Sequence, residues 1–186
     1  MSTRRTTLRA RVSAAILEAA AAVLAERGEQ ASMADVAAAA GMARATVYRY
    51  FPNREALFDA LGQLAVAEAG ERLEAGRLQD VPVPEAVERA VRALVAVGDA
   101  LVVVARERDR PDPAPFEQRV AAPLRALIER AQALGEIRDD LPASWLMQSL
   151  IGIILSGLQT RPSLGVEDTV AGITSLFLDG ARIPPR

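Results

Sequence analysis

The stretch Gly41-Met-Ala-Arg-Ala-Thr-Val-Tyr-Arg-Tyr-Phe51 sets two arginines and three aromatic rings behind a glycine. A solvated charged face has no use for tyrosines, and a core has none for arginines. Nucleic acid uses both: guanidinium groups pair with phosphates or guanine edges, a methyl group fits against thymine, and hydroxyls reach phosphate oxygens. On a helix wheel of about 100° per residue starting near Arg44, Val47 and Phe51 fall close together and are expected in the core. Ala45, Thr46, Arg49 and Tyr50 fall on the far side, with Arg44 and Tyr48 flanking the boundary.

The residues just before this stretch supply the rest of a helix-turn-helix. Two short helices crossing steeply need a small residue where they touch, a turn residue that accepts positive φ, and an apolar anchor on the second helix. Ala37, Gly41 and Val47 fill those three places. Ser32-Met-Ala-Asp35 has capping-box spacing, with Ser32 at the N-cap and Asp35 at N3. Arg54 falls in the first turn of the next helix, where a cation opposes the helix dipole unless a phosphate is present.

Charge distribution agrees with a nucleic-acid partner. The 186 residues carry a formal net charge of −2. Residues 1–54 hold eight arginines and four acids, a net of +4, and the remainder holds fourteen and twenty, a net of −6. A basic module is therefore followed by an acidic body. The chain has no cysteine and no histidine. That removes disulfides, thiolate chemistry, the usual general base and the commonest metal ligands. No paired-carboxylate, Ser-x-x-Lys or glycine-rich phosphate motif is present, so neither an enzyme nor a metal or cofactor site is expected. The N-terminal residues have no apolar run behind their charges, and the longest apolar run, Leu150–Leu155, is too short to span a bilayer. The expected location is the cytoplasm.

Alanine, leucine, arginine and glutamate dominate, and glycines and prolines punctuate them, which predicts an all-α chain of about nine helices. The predicted helices cover Leu8–Arg27, Ser32 to Gly41, Arg44–Tyr50, Asn53–Gly76, Glu85–Val97, Asp99–Arg108, Phe116–Leu134 with a break or kink at Pro123, Ala143–Gln159 and Val166–Ala181. The expected division is a helix-turn-helix domain with a basic arm at 1–54 and a second helical domain at 55–186.

Residues 11–57 resemble the DNA-binding region of the TetR family of transcriptional repressors. The likeness is carried by Ile16-Leu-Glu-Ala-Ala20, by Ser32 with Asp35-Val36-Ala37, by Ala40-Gly41-Met42-Ala43, by Val47-Tyr48-Arg49-Tyr50-Phe51, and by Arg54-Glu55-Ala56-Leu57. Two positions depart from the family pattern. Ala43 stands where a Ser or Thr cap is usual, a loss of roughly 1 kcal/mol, and Arg54 replaces a lysine. The resemblance implies a ligand-responsive repressor that binds a palindromic operator in double-stranded DNA as a homodimer and is released by a small-molecule inducer. The DNA contacts it implies are Ser32, Arg44, Ala45, Thr46, Tyr48, Arg49, Tyr50 and Arg54.

The helix 143–159 is apolar nearly all round, which points to a subunit interface shared with helix 166–181. The interface residues expected are Leu146, Leu150, Ile153, Ile154, Gly157, Val170, Ile173 and Phe177. By resemblance, helices 57–134 form the inducer-binding region, where the small apolar Leu94, Val95, Leu101 and Val104 are candidates for a pocket lining. Each assignment has a plainer structural counterpart. Tyr48 and Tyr50 can be rim packing, Arg49 a solvated charge, and Ser32 a helix cap alone. Helix 143–159 can be a central core helix, and the four pocket candidates ordinary core. The arm arginines Arg4, Arg5, Arg9 and Arg11 are either disordered or aligned with the DNA backbone. A ligand-independent architectural or replication-linked DNA-binding protein is the alternative function; it would have no internal cavity.

Overall fold

The computed structural model describes residues 2–106, 113–159 and 164–183, with the side chains of 2–7, 29 and 104–106 excepted. Among the described residues every regular element is helical. They form two compact units, Met1–Ala65 with Asp99–Arg108, and Val66–Gly98 with Asp109–Arg186.

In the first unit, α1 (Ser2–Arg27) buries Ile16, Leu17, Ala20, Ala21 and Leu24, a stripe at helical spacing. Gly28, at φ +56°, ends it in a single 3-10 turn, Gly28–Gln30. α2 (Met33–Ala39) opens with the predicted capping box in both directions. The Asp35 amide donates to Ser32 Oγ, and Asp35 Oδ2 accepts from the Ser32 amide at 2.9 Å. The Ser32 hydroxyl and amide, followed by the charge of Arg27, hold the Asp35 carboxyl below its ordinary value. This cap is therefore complete above the ordinary aspartate range and is lost as pH falls through the lowered value.

The turn into α3 (Arg44–Tyr50) depends on one glycine. Gly41 sits at φ +64°, its amide donates to Ala38 O at 3.1 Å, and the Met42 amide donates to Ala37 O at 2.9 Å. This is the Schellman arrangement, which ties up two carbonyls that the end of α2 would leave without partners. Ala43 at the N-cap of α3 makes no side-chain cap bond. Its backbone is already extended, at φ −65° and ψ 141°. Ala43→Ser should therefore raise stability by about 1 kcal/mol, read as a higher denaturant midpoint with an unchanged slope.

Asn53 caps α4 (Arg54–Ala75), its Oδ1 accepting from the Ala56 amide at 2.7 Å. Leu57 and Leu61 of this helix, together with Val103 of α6 (Asp99–Arg106), join Val36, Ala37, Val47 and Phe51 to complete the first core. The first core thus draws on residues well beyond position 54.

The second unit is organised around α5 (Val83–Val95). Its start lies two residues earlier than expected because Pro84 occupies the first turn, where a missing amide costs nothing. Against it pack α8 (Ala122–Ala133), α9 (Ala143–Gln159) and α10 (Val166–Gly180). The interruption expected at Pro123 lies just ahead of it, where regular α-helix stops at Phe116 and resumes at Ala122. α7 (Ala114–Phe116) leads through a π-helical turn, Glu117–Ala121, into α8 with right-handed helical backbone at each junction. Pro123 removes one amide donor and crowds the carbonyl four residues back. The wider turn absorbs the crowding, with the Ala122 amide donating to Glu117 O.

Candidate nucleic-acid interface

α3 divides as its anchor requires. Val47 is 0% exposed, while Tyr48 on the same helix is 47% exposed. Arg44, Ala45, Tyr48 and Arg49 are all exposed and lie within one arc of the helix. The arc carries two guanidinium groups, a methyl group and a phenol, with no acid on the helix to compete for them.

Two residues expected on the outer face lie partly inside. Thr46 is half-buried, and so is Tyr50, which packs against the core of the first unit. The wheel places Tyr50 outward only if α3 has one neighbour; here α1 also reaches it. Arg9 of α1 and Arg49 of α3 both hold their guanidinium carbons near the Tyr50 ring, 5.9 and 5.8 Å from its centroid. Sequence reasoning gave no signal for this meeting, because the two positions are 41 residues apart (50 − 9) and neither belongs to a motif with the other.

Ser32 is exposed, but its hydroxyl is engaged on both sides by Asp35 within the cap. Asp35 Oδ1 also accepts from Arg27 Nη1 at 2.7 Å. Arg54 differs most from expectation. It is not turned wholly to solvent as a phosphate ligand. Its Nη1 donates to Ala31 O at 2.9 Å and its Nη2 to Gly28 O at 3.3 Å. Its guanidinium lies 4.9 Å from the Phe58 ring centroid. The backbone carbonyls of the α1–α2 connector supply the negative ends that the dipole argument assigned to a phosphate. The helix-turn-helix framework residues Ala37, Val47 and Phe51 are buried, and Gly41 holds the positive φ expected of it.

The expected subunit-interface residues in the second unit require a correction. Leu146, Leu150, Ile154, Val170, Ile173 and Phe177 are buried within the chain itself. Ile153 and Gly157 are half-buried, and a Cβ added at Gly157 would meet Ile173 Cδ1 at 2.9 Å. The six buried residues belong to the unit's own core, where α9 and α10 meet each other and α5, while Ile153 and Gly157 stay partly open. The faces left open carry different side chains. On α9 they are Trp145, Gln148, Gly152 and Ser156; on α10 they are Ala171, Ser175 and Leu176.

The four pocket candidates do not share a compact unit. Leu94 and Val95 are buried in the second unit and Leu101 in the first. The side chain of Val104 lies outside the described residues.

The profile of the bacterial regulatory proteins of the tetR family matches residues 16–61, which span α1 from Ile16 through the first turns of α4. The HTH-type transcriptional repressor LfrR of Mycolicibacterium smegmatis is 36% identical over 96 residues, 52% of this chain and 50% of LfrR. An uncharacterised HTH-type transcriptional regulator of Mycobacterium tuberculosis is 40% identical over 112 residues, 60% of this chain and 50% of its own length. The chain thus spans about half the length of the curated relatives it matches. In structure, LfrR in complex with proflavine is similar with a TM-score of 0.74 and 25% identity, over 94% of this chain and 99% of LfrR. AibR in complex with isovaleryl coenzyme A and operator DNA shares the fold, with a TM-score of 0.69 and 23% identity, over 89% of this chain and 97% of AibR. The helix-turn-helix match and the likeness of fold point the same way: residues 16–61 carry the tetR-family pattern, and the chain as a whole is similar in fold to TetR-like transcriptional regulators.

Proposed function

We propose that this chain is a cytoplasmic transcriptional repressor that binds a palindromic operator as a homodimer through α3 and is released by a small-molecule inducer. The observation that carries the reading is the exposed Arg44, Ala45, Tyr48 and Arg49 arc, held outward by a fully buried Val47. Arginine forks and a methyl group suit base edges, and the phenol suits phosphate. The relatives support the remainder. LfrR is a repressor whose structure includes proflavine, and that of AibR includes an acyl coenzyme A and operator DNA. Among the described residues no helix is long and apolar enough to cross a membrane.

The second copy sits on the open faces of α9 and α10. Gly152 and Ser156, one turn apart, let another helix approach closely, and Leu176 supplies apolar area at 67% exposure. A two-fold dimer presents two α3 helices to half-sites one helical turn apart, which accounts for a palindrome.

Footprinting upstream of the chain's own gene and its neighbours, followed by titration of the protected duplex, tests the reading. Tyr48→Ala should weaken binding to all sequences alike. Arg44→Ala should relax discrimination at one base position per half-site, by about 1–3 kcal/mol. If neither variant changes affinity while both remain folded, α3 is not the reading helix. A compound that raises the melting temperature should lower operator affinity, and DNA should lower affinity for the compound by the same factor.

A further inference from the structure

The Tyr50 ring stands between two helices that each bring it a cation. Arg9 comes from α1 and Arg49 from α3, both exposed, with guanidinium carbons 5.9 and 5.8 Å from the ring centroid. The ring itself is half-buried against the first unit's core, so it is a fixed platform. Among the described residues, neither arginine has a carboxylate partner. The acids nearest in sequence are Glu18 on α1 and Glu55 on α4. Cation–π attraction at such distances is weak at an exposed site. It leaves both guanidinium charges without a neutralising partner. A phosphate would give either guanidinium a charge-assisted contact.

We propose that Arg9 and Arg49, arranged around Tyr50, bind backbone phosphates of the DNA duplex outside the bases read by α3. This inference rests on α3 being the DNA-reading helix. It extends the interface onto α1 and gives Arg49 a phosphate in place of a base. A guanidinium presents a planar fork that matches phosphate oxygens, and Arg9 is placed on a helix other than the recognition helix. The contact is therefore indifferent to sequence. It adds to specific and non-specific affinity alike.

The test uses the full chain and a mixed-sequence duplex of about three helical turns, titrated over a range of salt. Wild-type affinity should fall linearly with the logarithm of salt concentration. Arg9→Gln should make that slope shallower by about 0.9 per protomer and weaken binding about fivefold at moderate salt. Arg9→Lys should keep the slope, because it keeps the charge. Tyr50→Phe should also keep it, because it keeps the ring. Arg11→Gln removes a neighbouring exposed charge of α1 that has no contact with the ring, and it should leave the slope unchanged. The inference is overturned if Arg9→Gln keeps the wild-type slope, or if Arg11→Gln lowers it equally, since diffuse helix charge would then suffice. A wild-type chain with no salt-dependent DNA binding at all overturns the function proposed above along with it.

Discussion

Val47→Asp should remove much of the first unit's stability at neutral pH. Val47 has no exposed surface and lies in the centre of the cluster formed by Ile16, Ala37, Phe51 and Leu57. A carboxylate placed there finds no cation in the cluster, since all of its members are apolar. The expected loss is about 4–5 kcal/mol, the scale of an unpaired buried charge, against a total stability of roughly 5–15 kcal/mol for a domain. The buried carboxyl lowers its cost by taking up a proton, so its pKa rises and the variant should recover part of its stability as pH falls. Val47→Ala is the control. It removes two methyl groups and no more than about 3 kcal/mol, with little dependence on pH. Thermal unfolding followed by circular dichroism at two pH values separates the cases. An Asp variant as stable as the Ala variant would show that α3 is not anchored by this residue.

The second large effect separates core from contact surface in α9 and α10. Leu150 is 0% exposed and Leu176 is 67% exposed. Leu150→Ala should cost about 2–5 kcal/mol, because the rigid neighbours on α5, α8 and α10 cannot close over the cavity. Leu176→Arg should leave the protomer folded, because the arginine replaces a side chain already in water. Under the homodimer proposal it should nevertheless yield monomers by light scattering and lose operator affinity, with every DNA-reading residue intact. If Leu176→Arg remains a dimer, the open faces of α9 and α10 are not where the second copy sits.

The parts of the fold legible in the sequence were those with local causes. α3 spans Arg44–Tyr50 as read, since an extended Ala43 precedes it and Phe51-Pro52 follows it. The Ser32–Asp35 box and the positive φ of Gly41 follow from residue types at fixed short spacings. Non-local partners were not legible. An arginine at a helix start reads as an anion ligand until the fold reveals the carbonyls of Gly28 and Ala31 beside it. Helix 143–159 reads as apolar on two faces, but the sequence does not show that α5, α8 and α10 cover Leu146, Leu150 and Ile154 from within the same chain. Proline at 123 reads as a break because the usual helix has no room for it; the π turn that makes room has no signature in residue type.

The position of Val103 in the first core bears on how the chain is made. Ribosomes release the polypeptide from its N-terminus at roughly 5–20 residues per second. The apolar sides of α1, α2 and α3 emerge first, yet the core they belong to also needs Val103, about 50 residues after Phe51. For several seconds the nascent chain therefore holds Ile16, Leu24, Val36 and Val47 without their full complement of neighbours. The first unit is consequently a late product of synthesis despite being encoded first. A polypeptide stalled before α6 should be open to proteolysis in α1–α3, whereas one released after it should resist.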